Sequence, residues 1–440
     1  MAISKVDEVF YEPRLDQIRH VKYWTRCLKT LLPPQYTSNE SNRMYLGYFI
    51  VSALDLLDAL PTASSEAERR GFTDWIYRCQ HPHGGFRMWP GTDFGARASR
   101  ENARWDPANI PATYFALATL LILGDDFTRL KWRETLDWLP RLQRPDGSFG
   151  ETLVDGRVEG GQDPRFGYCA TGVRYILRAL GGGASQNDEQ HAKDIDINAF
   201  VRCVQAAEAY DGGLADDLFH EPHAGYTFCS LGALAFVDRL NCHGPPTEDP
   251  PTAPSHPEAV LSWLVYRQTE LTDPDVGFDS EFSHAPGHAD ARPPEANGGT
   301  GAAQADGTVP AHQDPAQSTA VSIFDLLVDG AGMNGRINKV ADTCYGFWAG
   351  ASLHILQQPD LYDREAVRRY LLGKTQHPVL GGHGKFPGDL PDLLHSYLGL
   401  AALSLAGSEQ VKEIDGGMCL SKEARSRLSA LGEARSKATR

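Results

Sequence analysis

The sequence predicts an all-α protein folded as an α/α toroid, a closed ring with an inner and an outer layer of helices. Three observations carry that expectation. Gln80, Gln143, Gln205 and Gln268 recur at intervals of 63, 62 and 63 residues, and a fixed period of this kind marks a repeat architecture. After each of the first three comes a glycine turn, then a helical stretch that is apolar nearly all round; such a helix is buried on every side. The period-2 alternation of half-buried strands is nearly absent.

The elements follow in order. Residues 44–60 read as a leading inner helix. Residues 72–79 end an outer helix, and Gln80 leads to the turn Gly84-Gly85-Phe86. The pattern returns as Asp146-Gly147-Ser148-Phe149 after Gln143, Asp211-Gly212-Gly213-Leu214 after Gln205, and Gly381-Gly382 after Gln376. Gln268 is followed by a looser version, Asp275-Val276-Gly277-Phe278. Glycine supplies the positive φ that such a reversal needs. Further inner helices are expected at 112–123, 167–180, 226–240, 343–356 and 393–405. In the fifth of the six, Gly346, Ala349, Gly350, Ala351 and Ser352 would let neighbouring helices approach closely. Open solenoids repeat every ~34–47 residues, so the longer unit favours the closed ring.

One domain is expected over 1–420, interrupted by a disordered insertion at 279–321. There the stretch 281–320 holds five Pro, five Gly and ten Ala but no Leu, Ile, Trp or Tyr. It cannot bury enough apolar surface to offset the entropy of ordering. Deleting some fifty residues would restore the repeat interval between Gln268 and Gln376. A short helix is expected at 322–328, and the charged tail 421–440 reads as a peripheral helix or a frayed end.

Composition narrows the function. The 440 residues are 41% hydrophobic and carry a formal charge of −15. That suits a large core and disfavours non-specific binding to nucleic acid or anionic membrane. Any anionic ligand must be held by a local basic cluster. The longest apolar stretch, 115–123, is too short to span a bilayer, and residues 1–11 lack the apolar core of a secretory signal. The eight cysteines are scattered and form no C-x-x-C, so we expect a reduced, cytoplasmic protein.

The densest polar cluster is Asn334-Gly335-Arg336-Ile337-Asn338-Lys339-Val340-Ala341-Asp342-Thr343-Cys344-Tyr345, at the mouth of a buried helix. Arg336, Lys339, Asp342 and Tyr345 follow at three-residue steps, as along one side of a helical turn. With the helix N-terminus they suit a diphosphate. Asp342 and Cys344 also suit a zinc ion, and His395 holds the corresponding place in the next inner helix; three protein ligands leave a fourth position open. His223 and Arg165 stand before the inner helices of two earlier repeats. Taken singly each has a plainer reading: a helix cap, a core thiol or a core histidine, a solvated basic face. Their concentration at corresponding repeat positions favours a site.

The run Asn334-Gly335-Arg336-x-Asn338-Lys339-x-x-Asp342-Thr343-Cys344-Tyr345-x-Phe347-Trp348 resembles the signature of the protein prenyltransferase β subunits. Within that family its Asp-Thr-Cys-Tyr form is most similar to the type I geranylgeranyl enzymes. The likeness extends to Arg165-Phe166-x-Tyr168-Cys169-Ala170, to His223-x-Gly225-x-Thr227-Phe228-Cys229, and to Gly381-Gly382 with His395. It covers roughly 20–270 and 330–408. It implies a toroid paired with a helical α subunit, and one zinc ion on Asp342, Cys344 and His395. It implies that His223, Arg336, Lys339 and Tyr345 hold an isoprenoid diphosphate, that Tyr45 and Phe49 of the first inner helix line the isoprenoid's path, and that Arg165 lies near the acceptor peptide's C-terminus. An aspartate that helps bind magnesium in the farnesyl enzymes is Lys385 here, and the tyrosine before their zinc histidine is Leu394. Both favour the twenty-carbon donor without magnesium. Tyr45 departs from the family's small length-gating residue, and Asn109 stands where the animal enzymes have a peptide-site histidine.

The resemblance therefore implies geranylgeranyl transfer to C-terminal CaaX cysteines, CaaL types above all, of proteins such as Rho-type GTPases, without nucleic acid or stable membrane insertion. Farnesyl and Rab-type geranylgeranyl β subunits are the nearer alternatives. Terpene cyclases on α/α barrels are more remote, because their acidic Asp-x-Asp-Asp motif is matched only by Asp194-Ile195-Asp196-Ile197.

Overall fold

The computed structural model describes residues 12–36, 38–182, 193–272 and 330–438. The insertion at 279–321 and the helix expected at 322–328 lie outside the described residues. The helices are α1 Gln17–Lys29, α2 Arg43–Leu56, the single turn α3 Leu60–Ala63, α4 Glu66–Arg78, α5 Ile110–Leu123, α6 Trp132–Trp138, α7 Pro164–Leu177 and α8 Ile197–Ala206. They continue as α9 Ala224–Phe236, α10 Pro257–Val265, α11 Tyr345–Ile355, α12 Arg364–Tyr370, α13 Leu393–Leu405 and α14 Lys422–Ala438.

The inner layer is α2, α5, α7, α9, α11 and α13. Each packs on the next, and α13 returns to α2, so the ring is closed. Helix α5 shows why these sequences go inside. Every residue of Ile110–Leu123 except Phe115 and Leu123 is buried. The Asn109 side chain accepts the Ala112 N–H, Pro111 occupies the first turn, and Gly124 ends the helix at φ 74°. These are the start and stop devices a fully apolar helix needs, because it has no amphipathic face to fix its ends. The amphipathic outer helices α1, α4, α6, α10 and α12 each cover the inner helix that follows.

The repeated glutamines do structural work that the spacing alone did not reveal. Gln143 donates to the Asp196 carbonyl at 2.9 Å and accepts the Asp196 N–H at 2.7 Å, just before α8. Gln80 does the same at Arg129 and Lys131 before α6, and Gln268 at Asp363 before α12. Gln376 completes the ring, donating to the Arg14 carbonyl at 3.1 Å and accepting the Asp16 N–H at 2.9 Å. The glycine turns sit against the same helices. At Gly147, φ is +93° and a Cβ would lie 2.1 Å from the Ala199 carbonyl oxygen; at Gly381, φ is +73° and a Cβ would lie 2.4 Å from that of Arg19.

Among the described residues, three short antiparallel strand pairs interrupt the helices: β1 Thr152–Val154 with β2 Arg157–Glu159, β3 Gln268–Thr269 with β4 Gly332–Met333, and β5 Ile414–Asp415 with β6 Leu420–Ser421. Strands this short carry no alternation to read. The turn between β5 and β6 enters the axis of the ring. Tyr114 and Tyr168 donate to the Met418 and Gly417 carbonyls at 2.7 Å each, and Tyr48 and Tyr397 donate to that of Cys419. The tail is a packed helix: Arg427 of α14 donates to the Leu121 and Ile122 carbonyls, and Arg435 to that of Leu180, capping α5 and α7. A cation at helix C-termini satisfies orphan carbonyls and the dipole together.

Candidate metal centre and anion site

Asp342, Cys344 and His395 converge. One ligand atom from each lies within 4.8 Å of the other two, and all three residues are buried. Backbone contacts bring them together. The Asp342 N–H donates to the Met333 carbonyl at 2.9 Å, and the Thr343 N–H to the Lys385 carbonyl at 3.1 Å. The Thr343 hydroxyl donates to the Gly384 carbonyl at 2.7 Å. The ligand pair before α11 is thus tied to the loop that leads into α13.

Asp392 aims the imidazole. It is the N-cap of α13, accepting the His395 N–H at 2.9 Å with one carboxylate oxygen and the ring Nδ1–H at 2.6 Å with the other. That turns Nε2 inward, 3.4 Å from an Asp342 oxygen. A carboxylate oxygen, a sulfur and an oriented ring nitrogen thus face a common point, and the carboxylate–histidine arrangement fits a zinc site. Burial works against charge on His395, but Asp392 and Asp342 raise its pKa well above the usual value. Burial also works against the Asp342 carboxylate, yet His395 and Lys385 carry its pKa below the ordinary range. Burial, then Asp342, push the Cys344 thiol up to about 12; a thiolate there needs a cation beside it.

The second cluster adjoins the first. Burial, then Arg336 and Arg165, hold the His223 pKa down at about 4, so the ring is neutral. Its Nδ1 accepts the Gly225 N–H at 3.0 Å, and Nε2 lies 2.9 Å from the Tyr345 hydroxyl. The proton is therefore on Nε2 and is donated to Tyr345, whose own O–H points elsewhere. Burial, with Cys344 and Asp342, keeps that phenol protonated. The Asn-Gly-Arg sequence has a steric basis, since a Cβ at Gly335 would lie 2.2 Å from the Tyr345 ring. The Ala224 N–H donates to the Gly335 carbonyl at 2.9 Å, joining the two segments. Arg336 donates to Glu221 at 3.0 Å.

One expectation is corrected. Arg336, Lys339, Asp342 and Tyr345 do not lie along a helical turn; 334–344 is a loop, with Asn338 at φ 57°. An isolated bridge between Asp342 and Met333, and the bond from Asn334 to the Lys339 carbonyl, shape it instead. Asp342 is not the cap of α11 but accepts the Cys344 N–H at 2.8 Å.

The other candidates are held by local partners. Arg165 is held by Asp163 at 2.9 Å, and Lys385 sits over the Phe386 ring at 4.9 Å. Asn109 is spent on its helix cap and on Glu151 at 2.6 Å. Further along α2, Tyr45 and Phe49 lie ring to ring at 5.7 Å, with Phe115 and Tyr397 against them. Phe115 and Trp348, although on inner helices, stay partly exposed, as residues bordering a hollow axis would. The Asp-x-Asp pair has structural work, Asp194 binding Arg174 and Arg178 while Asp196 caps α8. Sequence reasoning missed Asp392 and Glu221. The first was open to discovery as an Asp three residues before a histidine at a helix start; nothing local marked the second. Among the described residues no helix is long and apolar enough to cross a membrane.

A family described as the prenyltransferase alpha-alpha toroid domain matches residues 15–420. The geranylgeranyl transferase type-1 subunit beta of Arabidopsis thaliana is 28% identical over 402 residues, covering 88% of this chain and 84% of that one. Its Dictyostelium discoideum counterpart is 27% identical over 430 residues, covering 93% and 96%. The solved Candida albicans protein geranylgeranyltransferase-I complexed with GGPP shares the fold, with a TM-score of 0.70 at 24% identity, covering 95% of this chain and 99% of that one. A match this long, on a ring that closes on itself with three residues at its mouth that could hold a metal ion, means that the chain belongs to the prenyltransferase family of α/α toroids.

Proposed function

We propose that this chain is the catalytic β subunit of a zinc-dependent protein geranylgeranyltransferase of type I, working in the cytoplasm with a helical α subunit. The observation that carries the reading is the convergence of Asp342, Cys344 and His395, with Asp392 orienting the histidine. The names of the Arabidopsis and Dictyostelium relatives support the type I assignment.

Zinc held by this triad would keep an acceptor cysteine as thiolate at neutral pH. The chain's own residues do the rest. Sulfur bonds to C1 of geranylgeranyl diphosphate as the C1–oxygen bond breaks, and charge grows on the departing diphosphate. Arg336, Lys339, the Tyr345 hydroxyl aimed by neutral His223, and Lys385 stabilise that charge where it develops. Lys385 supplies the positive charge for which a magnesium ion would otherwise be needed. The aromatic wall of Tyr45, Phe49 and Phe115 holds the isoprenoid and excludes water. Arg165 faces the C-terminus of a CaaX acceptor.

The test is co-expression with an α subunit, then competition of farnesyl and geranylgeranyl diphosphate for one CaaL peptide. The reading expects one zinc per heterodimer, transfer of the twenty-carbon group, and loss of zinc and transfer in Cys344→Ala. Transfer by a zinc-free Cys344→Ala enzyme would overturn it. Preference for the fifteen-carbon donor would favour the farnesyl reading and make Tyr45 the reason; Tyr45→Ala should then restore the longer donor.

A further inference from the structure

The loop that delivers His223 also delivers a carboxylate to which the reaction assigns no part. Glu221 lies two residues before His223, and one of its oxygens accepts from Arg336 Nη1 at 3.0 Å. Both ends of this pair are fixed by backbone. The His223 N–H donates to the Leu214 carbonyl at 3.1 Å, and the Ala224 N–H to that of Gly335, the residue before Arg336, at 2.9 Å. The ion pair thus spans two stapled segments, beside the hydrogen bond from His223 to Tyr345. The Arg336 side chain is only 20% exposed, while that of Glu221 is 53% exposed.

Resting on the diphosphate reading of this mouth, we propose that Glu221 is a positioning residue, which holds the Arg336 guanidinium in place for the donor's diphosphate. A free arginine samples many rotamers, and each diphosphate it captures must first end that freedom. One N–H donor suffices for the pair with Glu221, out of five on a guanidinium. The carboxylate is half-exposed and well hydrated, so it restrains the guanidinium without a deep competing well. An exposed pair supports an effect of about fivefold.

The experiment is a double-mutant cycle on the zinc-loaded heterodimer, reading the dissociation constants of inorganic diphosphate and of geranylgeranyl diphosphate. Glu221→Ala should weaken both about fivefold, with the peptide KM and bound zinc unchanged. Glu221→Gln, whose amide oxygen still accepts from Nη1, should recover most of the loss. In an Arg336→Ala background, Glu221→Ala should cost nothing further. Equal costs with and without Arg336, or tighter binding in Glu221→Ala, would overturn the inference. If Arg336→Ala itself leaves diphosphate binding unchanged, it is the underlying anion-site reading that falls.

Discussion

Replacing Asp392 by Asn separates two jobs that one side chain performs. Its carboxylate accepts the His395 backbone N–H at 2.9 Å, which caps α13, and the His395 Nδ1–H at 2.6 Å, which fixes the ring. Asn caps a helix about as well as Asp, so the backbone bond should survive. The amide's other arm is a donor, however, and cannot accept a proton from Nδ1. The ring loses the partner that selects its tautomer and aims Nε2 at Asp342. Removal of such a partner lowers metal affinity by about 10–100-fold, or ~1.4–2.7 kcal/mol. The helix itself should lose only a few tenths of a kcal/mol, whereas Asp392→Ala adds a cap loss of about 1 kcal/mol. Chelator competition on the purified heterodimer measures zinc affinity, and thermal unfolding of the same samples reads the cap. The reasoning fails if Asp392→Asn retains wild-type zinc affinity, or if it unfolds as early as Asp392→Ala.

Three further outcomes are expected. Burial depresses the pKa of His20 from 6.5 to about 4 against the stabilising bond to Gln376. The unfolded state therefore takes up the proton first, and His20 by itself should withdraw about 3 kcal/mol of stability as the pH drops from above 6.5 toward 4; unfolding followed against pH should be shallower by that share in His20→Gln. Gly47 sits inside α2 beside a cavity of about 110 Å³ lined by Leu28, Met44, Val51, Phe72, Trp75 and Ile76 among others, with nothing within 4 Å of a Cβ, so Gly47→Ala should stabilise by about 0.5–1 kcal/mol and raise the melting temperature with turnover intact. Gln376→Ala should cost about 1–3 kcal/mol more than Gln143→Ala, because it opens the same backbone pairing and also strands the buried His20 ring; equal losses in denaturant titrations would refute that.

The fold was legible because the ring repeats its local rules. A glutamine, a positive-φ glycine and an apolar helix recur, and each helix is buried so completely that its composition reports its place. What spacing did not reveal was the reason for the glutamine. Its partners lie on the outer helix of the following repeat, 51 and 53 residues away for Lys131 and Asp196, and across the whole chain at Asp16. Closure was expected from the length of the repeat unit, but the contacts that make it were not legible; here they are the Gln376 amide's bond to the Arg14 carbonyl and the packing of α13 on α2.

The site was legible in part for the same reason. Asp342, Cys344 and His395 stand at corresponding places in adjacent repeats, so once the inner helices are neighbours their mouths must meet. The basic cluster was found on an argument that the structure replaces. Three-residue steps suggested a helical turn, but this loop takes its shape from the Met333–Asp342 bridge, the left-handed Asn338 and the space Gly335 leaves for the Tyr345 ring. None of those contacts has a period. Asp392 and Glu221 were missed because each acts through another residue's side chain, and an orienting group is defined only by the bond it makes. A linear sequence displays ligand-type residues by their chemistry; it displays orienters only when they double as something local. Asp392 does so as a cap and was open to discovery. Glu221, whose partner lies 115 residues away, could be seen only in three dimensions.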